Sequence, residues 1–147
     1  MKKQGIYLKH NGITCSMGNG KLDKSILIFN IPSIKTCPNC KDCKARCYAR
    51  KFEKLYPAVL VCRERNYQAS LKVSFIEDMS AIISKGISHG TASVRVHESG
   101  DFYSIQYAHI WEAIADILIL LIFTLKNYNI YIKGDLKHDK TRYIFKT

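Results

Sequence analysis

Six cysteines stand in this chain of 147 residues, and four of them fall in one short run. Cys37, Cys40, Cys43 and Cys47 have the spacing C-x2-C-x2-C-x3-C, with basic residues between them. In a cytosolic protein, where thiols stay reduced, such a run is typical of metal ligands rather than of disulfides. The four cysteines are therefore the candidate ligands of a metal centre; the alternative is that they are reduced thiols without a ligand.

The identity of the metal follows less directly from the spacing. A compact run of this kind is typical of ferredoxin-type iron–sulfur sites, whereas structural zinc usually takes two C-x2-C pairs that lie far apart. Tyr48, however, stands where a ferredoxin has proline. Cys43 and Cys47 are four residues apart and would share one face of a helix, which also suits zinc. We expect a [4Fe–4S] cluster in preference to zinc, and zinc remains an alternative.

The other two cysteines, Cys15 and Cys62, are isolated in the sequence. Either could supply a ligand from elsewhere in the fold. The simpler interpretation is that both are small apolar side chains of the core, because free cysteine is among the most buried residue types.

The cysteine run lies in a strongly basic segment. Residues 35–65 hold nine basic and three acidic side chains and so account for +6 of the net charge of +11. Such a surplus suggests an anionic partner, most often nucleic acid. Tyr48, Phe52 and Tyr56 are interleaved with these charges and could meet bases. The alternative is a solvated helix face with the aromatic side chains in the core. The candidate nucleic-acid-binding residues are Lys44, Arg46, Arg50, Lys51 and Lys54.

A second group of polar residues follows a predicted strand over residues 92–97. In α/β sheets, ligands bind beyond the carboxyl ends of the strands. His97 is therefore a candidate ligand or proton carrier with Asp101 as its orienting partner, and both are candidate catalytic residues. Ser99 and Gly100 are candidate cofactor-binding residues, since glycine lets the backbone approach a bound group. The alternative makes Asp101 a helix cap and His97 a core side chain.

Hydrophobic periodicity predicts the elements that position these residues. Residues 1–24 are expected to be turn-rich. A buried strand is predicted at 25–31, and a helix opens from the cysteine run and continues to about Leu55. If the strands at 25–31 and 92–97 are parallel neighbours, the cysteine run and His97 share one pocket.

Two further helices are predicted. One covers residues 66–84, and the other begins near Ser104, its predicted N-cap. Strands are predicted at 129–133 and 142–146, and the mixture of strands and helices predicts an α/β fold with some parallel pairing. The apolar faces of the two helices are Leu71, Phe75, Met79 and Ile82 or Ile83 in the first, and Tyr107, Trp111, Ile114 and Leu118 in the second.

Three segments together resemble the gene product 88 family of phages and mobile elements. They are Asn30-Ile-Pro32, the run from Thr36 to Ala49, and Arg95 to Ser104 with Tyr107 and Trp111. The likeness covers about residues 19–116. Residues 117–147 are accordingly expected to be a truncated or divergent C-terminal part of a single domain spanning 1–147.

The resemblance extends, more distantly, to barrel enzymes that carry an iron–sulfur cluster for radical chemistry. It implies a partial or incomplete β/α barrel with both motifs at its strand ends. Those enzymes use C-x3-C-x2-C, and Arg50 stands where their third cysteine would be. S-adenosylmethionine is therefore doubtful as a cofactor.

The expected function is that of a phage or mobile-element protein with a cysteine-ligated centre, acting on or near nucleic acid. A non-catalytic, zinc-stabilised module that binds nucleic acid or a host protein is the alternative, and enzymatic activity stays open. The most apolar stretch, Ile117 to Phe123, is too short to span a membrane, and the N-terminus lacks an apolar signal region. We therefore expect a location in the cytoplasm of a bacterial host; the sequence predicts no oligomeric state.

Overall fold

The computed structural model describes residues 5–41 and 43–125. The strands predicted at 129–133 and 142–146 lie outside these residues. The elements in chain order are β1 Ile6–His10, β2 Ile13–Met17, β3 Ile26–Phe29, α1 Tyr48–Leu55, α2 Pro57–Ser70, α3 Phe75–Ser88, β4 Ser93–Val96 and α4 Ile105–Leu125.

The strands form one sheet in the order β1-β2-β3-β4. The first three are antiparallel neighbours, and β3 pairs with β4 in parallel. The expected α/β class and the expected parallel pairing are therefore confirmed. Over the described residues the sheet is open, with β1 and β4 at its edges, so these residues do not close a barrel.

The N-terminal segment forms a β-hairpin in addition to its turns. Asn11 and Gly12 connect β1 to β2 with φ angles of 45° and 87°, and Asn-Gly is the preferred pair for a two-residue hairpin turn of this hand. Along β2, Ile13, Cys15 and Met17 alternate into the core. The turns expected over residues 1–24 are present, but the two hairpin strands were not predicted, although the Asn-Gly signal was present in the sequence.

The single helix predicted over 66–84 is also wrong, because two helices meet in this region. α2 ends at Ser70, whose hydroxyl donates to the carbonyl of Tyr67 at 2.7 Å and so competes with the helical hydrogen bonds. After the break, Phe75 enters the core while Leu71 is 55% exposed. Leu71 therefore does not belong to the apolar face, whereas Phe75, Met79, Ile82 and Ile83 are buried as expected.

The core lies between the sheet and the pair α3 and α4. Phe29 of β3 packs against Phe75 of α3 and Trp111 of α4, with ring centroids 5.7 and 5.4 Å apart. The predicted apolar face of α4 is confirmed, since Tyr107, Trp111, Ile114 and Leu118 are all buried. Among the described helices, none has both the length and the apolar character that crossing a membrane requires.

Candidate metal centre and nucleic-acid interface

The two polar motifs meet because β3 and β4 are parallel neighbours. Beyond β3, the side-chain carbonyl of Asn30 accepts hydrogen bonds from the backbone N–H groups of Glu98 and Ser99 at 2.7 and 2.9 Å. The N–H of Ile31 donates to the carbonyl of Ser99 at 3.2 Å. The loops that follow the two strands are therefore fastened side by side, as the sequence hypothesis required.

Gly100 brings these loops into direct contact. Its φ is +82°, and a Cβ built there would lie 2.6 Å from Oγ1 of Thr36 and would also overlap the side chain of Ile31. The absence of a side chain at Gly100 thus lets the neighbouring loop, and not a bound ligand, approach the backbone closely. Ser99 is buried, and its hydroxyl donates to Glu53 at 3.3 Å. Both predicted cofactor-binding residues are engaged in holding the two loops together.

Glu53 is the buried carboxylate at this junction, and the sequence analysis missed it. Its Oε1 accepts hydrogen bonds from the Ser33 N–H and from Arg63, both at 2.8 Å, and its Oε2 accepts the Ser33 hydroxyl. Burial alone would raise the pKa of Glu53, but the bonds from Ser33 and Arg63 outweigh it and hold that pKa below the ordinary value. No spacing in the sequence marks Glu53, since Arg63 lies on the next helix beyond Pro57.

The four cysteines of the run lie on the loop between β3 and α1. Cys40 and Cys43 are paired, with their Sγ atoms 3.6 Å apart. Partial burial and this contact raise the pKa of Cys40 to about 11. Burial raises the pKa of Cys37 as well, and the charges of Asp101 and Cys47 add to the effect. Cys37 thus stands within electrostatic reach of both motifs.

The geometry of the run differs from the expected one at its helical end. α1 begins at Tyr48, with Cys47 at the N-cap position, and residues 43–46 form turns. Cys43 and Cys47 therefore do not share a helix face. The turns arise because the N–H of Lys44 donates to the carbonyl of Cys40, and that of Arg46 to the carbonyl of Cys43.

The donor set can be compared with what a metal requires. Four thiolates about 2.3 Å from a tetrahedral ion stand about 3.8 Å from one another. The 3.6 Å between Cys40 and Cys43 comes close to this separation. In the part of the chain that the structure describes, no three or more Cys, His, Asp or Glu side chains converge closely enough to hold a metal ion. The four cysteines are thus of a type that binds metal, and the pair Cys40 and Cys43 has the separation that a shared ion requires.

The isolated cysteines lie in other elements. Cys15 is fully buried on β2, and burial, followed by the nearby thiol of Cys62, raises its pKa. Cys62 is half-buried on α2. Cys15 is thus a core side chain, in agreement with the simpler interpretation.

His97 has a phenol as its partner instead of a carboxylate. Its Nε2 lies 3.0 Å from the hydroxyl of Tyr107, and its ring packs against Phe29 and Phe102. Burial lowers the pKa of His97 to about 3, so the imidazole is neutral at physiological pH. Its Nδ1 is buried without a hydrogen-bond partner, and its φ of 69° is unusual for a residue other than glycine.

Asp101 has a different role from the one proposed with His97. It is exposed, and its Oδ1 accepts the N–H of the next residue, Phe102, at 2.8 Å. Nor does it cap α4, because the hydroxyl of Ser104 accepts the N–H of Tyr107 at 3.1 Å. Ser104 is therefore the N-cap, as predicted. The negative charge of Asp101 instead acts on Cys37, whose pKa it helps to raise.

The basic residues of the segment surround α1. Lys44, Arg46, Lys51 and Lys54 are exposed, and Arg50 is half-buried. The interleaved aromatic side chains Tyr48, Phe52 and Tyr56 are exposed too, so they do not belong to the core. The Tyr48 hydroxyl donates to the carbonyl of Glu98, which is a second link between the motifs.

A family model described as gene product 88 matches residues 7–119. The chain belongs to the gene product 88 family. The match includes all four cysteines of the run and both loops that follow β3 and β4, so the contact between these loops lies inside the gene product 88 region. Neither a curated protein nor a solved structure matches the chain.

Proposed function

We propose that this gene product 88 protein binds nucleic acid through the outer side of α1, and that a cysteine-ligated metal centre in residues 37–47 fixes this helix to the sheet edge. The orientation of Glu53 carries the proposal. Glu53 is the only carboxylate in residues 43–61, and it turns inward to Arg63. The outer side of α1 therefore displays positive charge alone.

The balance of charge supports a polyanion as the partner. The whole chain carries +11, and Lys44, Arg46, Lys51 and Lys54 are exposed around α1. Cations that replace the counterions of a phosphate backbone produce binding that weakens steeply with salt. The affinity at low salt and its salt dependence are therefore the quantities that test the proposal.

The test replaces Arg46, Arg50 and Lys54 together by Gln. If these residues contact phosphates, the slope of log K against log [salt] should fall by roughly one for each lost contact. The measurement is fluorescence anisotropy of a labelled DNA or RNA at several salt concentrations.

The matched control replaces Lys24, Lys72 and Lys85 by Gln, three exposed lysines outside residues 35–65. It removes the same charge, so it should lower the overall attraction slightly and leave the slope nearly unchanged. An equal effect of both triple variants would contradict the proposed interface, because only the net charge would then matter.

The proposed ligands of the metal centre are Cys37, Cys40, Cys43 and Cys47. The spacing of the run favours an iron–sulfur cluster, whereas the 3.6 Å between the thiols of Cys40 and Cys43 favours a single ion, such as zinc. A bound metal would supply folding energy to the loop. The raised pKa values of Cys37 and Cys40 mean that these thiols are protonated before binding, so loading releases protons.

Anaerobic purification followed by metal and sulfide analysis tests this centre. Iron with acid-labile sulfide would identify a cluster, and one zinc per chain would identify a single ion. Cys40→Ser should lose the metal, while Cys62→Ser, on α2, should keep it. Full metal content in Cys40→Ser would exclude Cys40 as a ligand, and a wild-type protein without metal would overturn the proposal.

We also propose that the fold is an incomplete β/α barrel. The parallel pair β3 and β4, with helices between them in sequence and α4 after β4, supports this architecture.

A further inference from the structure

The exposed side of α1 carries a row of aromatic rings. Tyr48 is 65% exposed, and Phe52 and Tyr56 are each 52% exposed. They recur at every fourth residue, so Tyr48 and Phe52 share one side of α1, and the ring of Tyr56, the residue directly after the helix, packs beside Phe52. Phenylalanine is among the side chains most often buried, so its exposure here requires an explanation.

The rings of this row are held in place. The centroids of Phe52 and Tyr56 are 5.0 Å apart, and the two rings are tilted by 45°. The ring of Tyr48 is held at its hydroxyl end, because the hydroxyl donates a hydrogen bond to the carbonyl of Glu98. Rings that are ordered before binding lose little entropy when a ligand stacks on them.

The charge around the row selects the kind of ligand. Lys51, three residues after Tyr48, is exposed on the neighbouring side of α1, and Glu53, the only acidic residue of α1, faces Arg63 in the interior. A polyanion with flat apolar groups matches exposed rings that have a cation next to them and no exposed carboxylate on their helix. Nucleic acid has this composition, but in a duplex the bases are stacked on one another and are not available to the rings.

We infer that α1 and the residue after it bind single-stranded nucleic acid, with bases stacked on Tyr48 and on the Phe52–Tyr56 pair while Lys51 contacts a phosphate; this rests on the proposed function. The row from Tyr48 to Tyr56 is about 12 Å long at the helical rise. At about 3.4 Å per nucleotide of a stacked strand, it accommodates three to four nucleotides, which is at the lower limit of the roughly 4–16 nucleotides that single-strand sites on OB-folds hold.

The experiment compares two labelled probes by fluorescence anisotropy: a single strand of about 20 thymidines and a duplex of the same length. Phe52→Ala should weaken binding of the single strand about 5- to 100-fold and leave binding of the duplex nearly unchanged. Phe52→Leu, which keeps apolar volume without a ring, should weaken binding of the single strand by a similar factor. The double variant Lys51→Gln with Lys54→Gln should weaken binding of both probes. Val73→Ala, at a fully exposed position between α2 and α3, is the control and should weaken neither.

The outcomes separate the inference from the proposed function. If Phe52→Ala binds the single strand as tightly as wild type while the lysine variant weakens both probes, stacking is wrong and the basic interface stands. Full rescue by Phe52→Leu would also overturn stacking, because the site would then need only apolar volume, as a protein partner does. If the wild-type protein binds neither probe, the proposed function itself fails.

Discussion

At Glu53, one buried carboxylate holds together three segments of the chain. It accepts hydrogen bonds from Ser33 after β3, from Ser99 after β4 and from Arg63 on α2. Its side chain is 7% exposed and that of Arg63 is 11% exposed. A buried ion pair of this kind contributes little relative to apolar residues, but the loss of one partner leaves an uncompensated charge.

Glu53→Gln should therefore lower the free energy of unfolding by about 3 kcal/mol, because Arg63 stays buried without a counter-charge. Glu64→Gln is the matched control, since Glu64 forms an exposed ion pair with Lys35. The control should change stability by less than about 1 kcal/mol. Urea unfolding at pH 7 measures both values, and equal losses in the two variants would contradict the role given to Glu53.

His97 couples stability to pH through its burial. Its pKa of about 3 in the folded protein lies below the ordinary value of 6.5. Between these values the unfolded chain binds a proton that the folded protein does not, so stability is complete above about pH 6.5 and declines as the pH falls toward 3. The slope is about 1.4 kcal/mol per pH unit, or about 2 kcal/mol lost by pH 5.

His97→Asn should remove this slope, because asparagine does not titrate and tolerates the positive φ of 69°. The variant also loses ring packing, so its absolute stability at pH 7 should fall, and the readout is the change between pH 7 and pH 5. Urea unfolding at the two pH values measures it, with the exposed His109→Asn as control. An unchanged slope in His97→Asn would mean that other groups control the acid response.

At the scale of the elements, the sequence predicts those with a strong period or cap and misses those decided by tertiary contacts. β3, β4 and α4 were located within a few residues, and Ser104 caps α4 as its type and position suggest. The break between α2 and α3 has no glycine or proline to announce it. It depends on Ser70, which bonds Tyr67 and Tyr103, and the second of these contacts comes from a distant segment.

The candidate site follows the same rule. The cysteine run and the turn after β4 are recognisable because their residue types and spacing are local. Glu53 is not, because its partners Ser33, Arg63 and Ser99 come from separate segments of the chain. Similarly, Gly100 suggests a ligand in the sequence, and only the path of the neighbouring loop reveals that Thr36 occupies the space beside it.

The contact between the two loops therefore depends on Gly100. Gly100→Ala should lower the free energy of unfolding by more than about 2 kcal/mol, from the strain of positive φ and the overlap with Thr36 and Ile31. Gly90→Ala is the matched control, because Gly90 has a φ of +88° with open space around it. It should show the backbone cost alone, about 1 kcal/mol. Thermal or urea unfolding compares them, and equal costs would mean that the loops can separate without loss.

At the scale of the whole molecule, the core and the candidate site lie in different parts of the fold and differ in burial. Phe29, Phe75 and Trp111 close the core between sheet and helices, whereas Cys43 and the outer side of α1 are exposed. The buried face of α1 consists of Ala49 and Glu53. The helix that carries the positive charge thus has few buried apolar side chains, and its position depends on the hydrogen bonds of Glu53 to α2 and to the strand-end loops, and on the loop that precedes it.

Removal of the proposed metal should therefore loosen one part of the protein and spare the rest. In anaerobic apoprotein, backbone amides of residues 37–56 should exchange hydrogen at least about tenfold faster than in the loaded protein. Amides of β2, β3 and α3 should be unchanged, because Leu27, Phe29 and Met79 are buried independently of the loop. Hydrogen exchange with mass spectrometry measures both regions, with Cys40→Ser as an apoprotein that needs no chelator. Faster exchange throughout the sheet would mean that the metal holds the whole fold, and unchanged exchange in 37–56 would mean that Glu53, Tyr48 and Gly100 position α1 without it.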